Sequence, residues 1–141
     1  MPRRRPPTGE VRRLRDEPLT DEQALAAACT VHAYDASRIL DVRQAGKMNE
    51  VPDRAYFVGV FSFSSDQLLG YIKEHVGLAQ QLLAKSGDQR ASPSAYIEAA
   101  GDGYEVGWYH DGRSQIQFHD SIDHAAADFV LAYWKLPRLR P

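Results

Sequence analysis

Residues 95–135 read AYIEAAGDGYEVGWYHDGRSQIQFHDSIDHAAADFVLAYWK, and this stretch decides the fold. Three short runs of alternating polar and apolar residues are split at Gly101, Asp102 and Gly103 and again at His110, Asp111 and Gly112. Gly and Asp tolerate the positive φ that a tight hairpin needs. The spacing therefore predicts strands over 95–100, 104–109 and 114–119, joined as an antiparallel meander. A helix is predicted to start at Asp120 or Ser121 and to run to about Lys135, with Pro137 stopping it. Ile122, Ala126, Phe129, Val130 and Tyr133 form its apolar stripe, which leaves His124, Asp128 and Lys135 pointing outward.

Working back from the meander, 86–94 is a turn-rich linker. Ser64 and Gln67 have capping-box spacing and open a predicted helix over 65–85. Its core stripe is Leu68, Leu69, Ile72, Val76, Ala79, Leu82 and Leu83, with Gly70 and Gly77 on the polar side. The run AYFVGVF at 55–61 is predicted to be a strand with at least one buried face. Thr20 and Gln23 repeat the capping-box spacing. They open a helix expected to reach about Arg43, with Thr30 and Val31 leaving a break open near its middle. The expected order is α-β-α-β-β-β-α. This is an α+β fold, an antiparallel sheet of about four strands with helices packed on one face.

The chain has 141 residues, enough for one domain with a sizeable core. It is expected as a single α+β domain over 19–141, preceded by a disordered basic Arg/Pro-rich arm over 1–18. Residues 1–15 carry six arginines and one acid, while residues 16–141 carry 11 basic and 18 acidic groups. The acidic body disfavours phosphate-rich partners and suits a basic protein. The single cysteine, Cys29, excludes an internal disulfide and a cysteine-based zinc site. No apolar run is long enough for a bilayer and no secretory h-region is present, so a cytoplasmic location is expected.

No catalytic signature emerges from the residues that carry chemistry. His32, His75, His110, His119 and His124 lack HExxH or HxH spacing, so no metal is expected. Cys29 falls on an apolar helical stripe, where a thiol behaves as a small hydrophobe. The glycines match neither a phosphate-binding loop nor a nucleophile elbow. Asp120 and Asp123 sit at a helix start, where capping accounts for them. The expectation is a protein that is not an enzyme and has no cofactor.

What remains is a surface. Alternation places Ile97, Ala99, Val106, Trp108, Ile116 and Phe118 under the helices. The opposite face then collects Tyr96, Glu98, Glu105, Tyr109, Gln115, Gln117 and His119, with Asp111 at the hairpin tip. Tyrosines flanked by acids suit a basic protein partner. A register shift of one residue would exchange the two faces.

Tyr104–Val106, Trp108, Asp111–Arg113, Phe118 and Ala126–Leu131 resemble the C-terminal part of small immunity proteins of bacterial polymorphic-toxin systems. The resemblance covers about a quarter of the chain. It implies a protein that binds a cognate toxin domain in the cytoplasm and occludes its active site, with the Tyr/Glu face and Asp111 entering a basic cleft. Two other readings stay open. One is a nucleic-acid-associated regulator acting through the basic arm, and the other a small ligand-binding domain with a pocket lined by Trp108, His119 and His124.

Overall fold

Thr20 and Ser64 each open a helix through the same reciprocal pair of hydrogen bonds. The Thr20 N–H donates to Gln23 Oε1 at 3.0 Å, and the Gln23 N–H donates to Thr20 Oγ1 at 3.1 Å. Ser64 and Gln67 repeat the arrangement at 2.7 and 3.1 Å. Each box satisfies backbone donors that the first helical turn leaves unpaired. The computed structural model of the chain describes residues 11–13, 19–44, 51, 52, 54–86 and 94–139. These residues fall into two units, one ending at Ser62 and the other beginning at Phe63.

In the first unit, strand β1 (Val11–Arg13) pairs antiparallel with β2 (Val42–Gln44), and between them lie helices α1 (Asp21–Ala28) and α2 (Ala33–Leu40). Within the stretch 1–18, β1 is the described part; the remainder lies outside the described residues. The helix expected from Thr20 to about Arg43 is broken at Cys29–His32. Thr30 Oγ1 donates back to the Ala27 carbonyl at 2.7 Å, and buried Val31 takes φ +49°. His32 then caps α2, its Nδ1 accepting from the Asp35 N–H at 3.4 Å.

The run at 55–61 corrects the sequence reading. It forms helix α3 (Arg54–Val60), not a strand. Phe57 and Phe61 lie one helical turn apart, stacked at 5.7 Å between ring centroids, and both are buried. A short apolar run fits either periodicity, and here the i, i+4 aromatic pair decides it.

The second unit begins with α4 (Ser65–Glu74) and α5 (Leu78–Lys85). The single helix expected over 65–85 breaks at His75–Gly77, where Gly77 takes φ +88° and caps α5. That conformation favours glycine, so Gly77 is a breaker and not a tolerated surface residue. Then come β3 (Ser94–Ala100), β4 (Gly103–Tyr109), β5 (Arg113–His119) and α6 (Ile122–Tyr133). The fold is α+β. The sheet is an antiparallel meander in the order β3-β4-β5, with three strands where about four were expected. The missing strand is the run that became α3.

Helix α6 lies against β3 and β4 and also packs on α4 and α5. Every residue from Ala125 to Tyr133 is buried, so α6 is covered all round. Phe129 and Val130 each contribute about 1.5–3 kcal/mol through this burial. Asp128 shares it, against the expectation that it points outward. A Schellman motif ends α6: the Lys135 N–H donates to the Ala132 carbonyl at 3.1 Å and the Leu136 N–H to the Leu131 carbonyl at 2.9 Å. Lys135 occupies the left-handed position usually given to glycine, at φ +58°.

Candidate functional site

The register of the meander defines two faces. Ile97 lies opposite Val106, Glu98 opposite Glu105 and Tyr96 opposite Gly107. On the other side of β4, Tyr109 pairs with Arg113, Trp108 with Ser114, Val106 with Gln117 and Glu105 with Phe118. Between Val106 and Trp108 the β5 side advances by one residue more than β4. This β-bulge centres on Gln115, which takes φ +52°.

The bulge explains which expected site residues come together. Tyr96, Glu98, Glu105 and Tyr109 share the face turned away from α6, as the alternation predicts. Gln117 and His119 do not join them: past the bulge the parity of β5 is inverted, and both turn to the α6 side opposite Val106 and Tyr104. Ile116 and Phe118, expected in the core, turn outward and are 42% and 59% exposed. Gln115 sits in the bulge itself. Asp111 lies at the exposed hairpin tip with φ +50°.

The outer face is organised around Arg113. Its guanidinium donates to both carboxylate oxygens of Glu98, at 3.1 Å to Oε2, and to Glu105 Oε2 at 2.8 Å. Tyr96 Oη donates to the same Glu105 oxygen at 2.5 Å, and the Arg113 Cζ lies 5.0 Å from the centre of the Tyr96 ring. Gly107 makes room for this ring. A Cβ there would stand 2.8 Å from the Ser114 carbonyl oxygen and 2.9 Å from Tyr96 Oη. Burial, and then the hydrogen bond to Glu105, raise the Tyr96 phenol above the ordinary tyrosine range. Tyr109, Ile116 and Phe118 flank this cluster as exposed apolar surface.

A second arginine organises the inner face. Arg138 Nε donates to Asp128 Oδ1 at 2.8 Å and its Nη2 to Asp128 Oδ2 at 2.7 Å. The same guanidinium reaches the carbonyls of Gln115 and Val106. His119 Nε2 stands 2.8 Å from Asp128 Oδ2. Gln117, with its amide turned to satisfy its neighbours, donates to Asp128 Oδ2 at 3.3 Å and to the Leu139 carbonyl at 2.5 Å. The Asp128 and His119 side chains are 0% and 3% exposed. The Asp128 and His119 side chains are thus sealed, and Arg138 is the member of the set that reaches the surface.

A shallow open groove of about 570 Å³ lies beside it, lined by Trp108, His110, Ser114, Lys135, Leu136 and Arg138 among others. The Lys135 ammonium covers the Trp108 ring at 5.5 Å. Neither His119 nor His124 lines it. Among the described residues no three His, Cys, Asp or Glu side chains converge as metal ligands. Burial pushes the Cys29 thiol up to about 12, which removes it as a thiolate nucleophile. No described helix is long and apolar enough to cross a membrane. No protein-family model, curated protein or solved structure matches the chain.

Sequence reasoning missed Arg113, Ile116 and Phe118 on the outer face, and Asp128 with Arg138 on the inner one. The arginines had a signal: each stands close in sequence to a hairpin or helix end that brings it over a sheet face. The bulge had none, because Gln115 is not a residue type that announces a positive φ.

Proposed function

We propose that the protein is an immunity protein. It binds a cognate bacterial toxin domain in the cytoplasm and occludes that domain's active site with the outer face of the β3-β4-β5 sheet. The observation that carries this reading is the exposed set Tyr109, Ile116 and Phe118 around the Arg113–Glu98–Glu105 cluster. Large apolar side chains rimmed by charge mark protein-binding surfaces, and aromatic ones are the usual anchors. Charge favours a basic partner: Asp102, Asp111 and Asp120 are exposed at the ends of the sheet, and Arg113 is shared by two carboxylates. The sealed state of His119 favours a protein partner over a small ligand held by Trp108, His119 and His124.

The test is a growth-arrest assay with the C-terminal domain of a secreted protein encoded beside this gene. Co-expression of the wild type should restore growth, and Phe118→Lys with Tyr109→Ala should abolish protection while the circular-dichroism spectrum stays unchanged. Glu98→Lys alone should weaken it. Glu105 is a poor probe, because a lysine there would lie buried against Arg113. Full protection by the Phe118→Lys/Tyr109→Ala variant would exclude this face.

A further inference from the structure

We infer that β5 is a docking edge, where an extended partner segment, apolar at its centre and basic at both ends, adds to the sheet as a fourth strand. The inference rests on reading the outer sheet face as protein-binding, and it does not depend on the partner being a toxin.

β5 is an edge strand whose ladder partner among the described residues is β4. Beyond its ladder with β4 and the contact of Arg138 with the Gln115 carbonyl, the β5 backbone has no hydrogen bond to another described residue. Edge strands commonly carry a lysine or proline, an inward charge or a bulge that discourages a further strand; β5 has a bulge at Gln115, which leaves its regular part at 116–119. The sequence RSQIQFH has no lysine or proline. The Arg113 charge is drawn back over the sheet by Glu98 and Glu105. The bulge at Gln115 then aims Ile116 and Phe118 to the outer face, where an added strand would lay side chains against them.

The ends of this edge select the occupant. Exposed Asp111 stands at one end and exposed Asp120 at the other. Asp102 joins the Asp120 end, because the β3–β4 turn lies there in the register. A strand with basic residues at both ends meets an acid at each. A second copy of this chain does not: antiparallel self-pairing sets the Asp111 end against the Asp120 end, and parallel self-pairing sets each against itself. Like charges meet in both arrangements.

The probe is a short labelled peptide of alternating Val and Thr with Lys at both ends, titrated with the full chain by fluorescence anisotropy. The wild type should bind it with an affinity that falls as salt rises. Phe118→Lys should weaken binding by about tenfold or more while the thermal midpoint holds. A peptide N-methylated at every central amide should not bind, since strand addition needs the N–H groups of whichever edge faces β5. Equal binding of the N-methylated peptide, or of one ended by Glu, would overturn the inference. So would no binding at all, or a concentration-dependent dimer abolished by Ile116→Lys in sedimentation. Peptide binding without protection of toxin-expressing cells supports the edge and removes the immunity reading. Protection without peptide binding does the reverse.

Discussion

Arg113 and Arg138 sit on opposite faces of one sheet, and each grips carboxylates, yet they do different work. Arg113 is about half exposed and shares itself between Glu98 and Glu105. Water competes for the Arg113–Glu98 pair, so its contribution to stability is small and those two groups stay within a partner's reach, while Glu105 is largely buried. Arg138 is mostly buried and closes on a fully buried carboxylate. The Asp128 carboxylate is held by Arg138, His119 and Gln117. The same chemistry is therefore a replaceable surface ornament on one face and a requirement of folding on the other.

The strongest way to break this contrast is Arg138→Ala. It leaves the Asp128 carboxylate buried without its cation, and a loss of about 3–5 kcal/mol is expected in urea unfolding. The double variant Asp128→Leu/Arg138→Met should recover much of that loss, because no unpaired charge remains. If the single variant loses under about 1 kcal/mol, the inner cluster is no more structural than the outer one.

Gly107→Ala probes how closely the outer cluster is built. The added Cβ meets both a backbone carbonyl and the Tyr96 hydroxyl, so a loss of about 1–3 kcal/mol is expected by thermal unfolding. The same substitution at Gly70, where a Cβ meets nothing, should be neutral or stabilising.

Alkaline pH separates the two units. Cys29 and Tyr96 both have raised folded-state pKa values, from ordinary values of 9.0 and 10.0. A raised value means that each contributes full stability below its unfolded pKa and loses it as pH climbs toward the folded one. Unfolding free energy should therefore decline from about pH 9 upward. Cys29→Ala should remove the earlier part of the decline and Tyr96→Phe the later part. A flat profile in the wild type to pH 11 would show that neither group is held as described.

The smallest effect on stability is expected at the exposed side. Glu98→Ala, which breaks only the exposed pair, should cost no more than about 1 kcal/mol. Phe118→Lys should lie within about 0.5 kcal/mol of wild type, and both should register chiefly in partner binding.

Much of the meander was legible, because its signals are local. The turn residues at 101–103 and 111–112 set the strand ends to within one residue of those found. The capping boxes at Thr20 and Ser64 were legible for the same reason. Half of the candidate face was legible too: Tyr96, Glu98, Glu105 and Tyr109 do share a side. The other half inverted at Gln115, and with it Gln117 and His119 were lost to the inner face while Ile116 and Phe118 came out. The run at 55–61 was misread because β-branched and aromatic residues favour strands only when a sheet is there to receive them.

By itself the sequence determined where the strands of the meander begin and end and where the capped helices start. Caps, turns and helix-covering apolar residues act through neighbours a few positions away, so the order of residues suffices to place them. Tertiary structure alone decided which way the strands face and which polar groups are sealed. One extra residue in β5 reverses every side chain beyond it. Asp128 is tolerable inside α6 because His119 and Arg138, 9 and 10 positions away in sequence, arrive to pair with it. The inner Arg138 and the outer Phe118 owe their roles to that one irregularity, whose bulged carbonyl Arg138 itself holds in place.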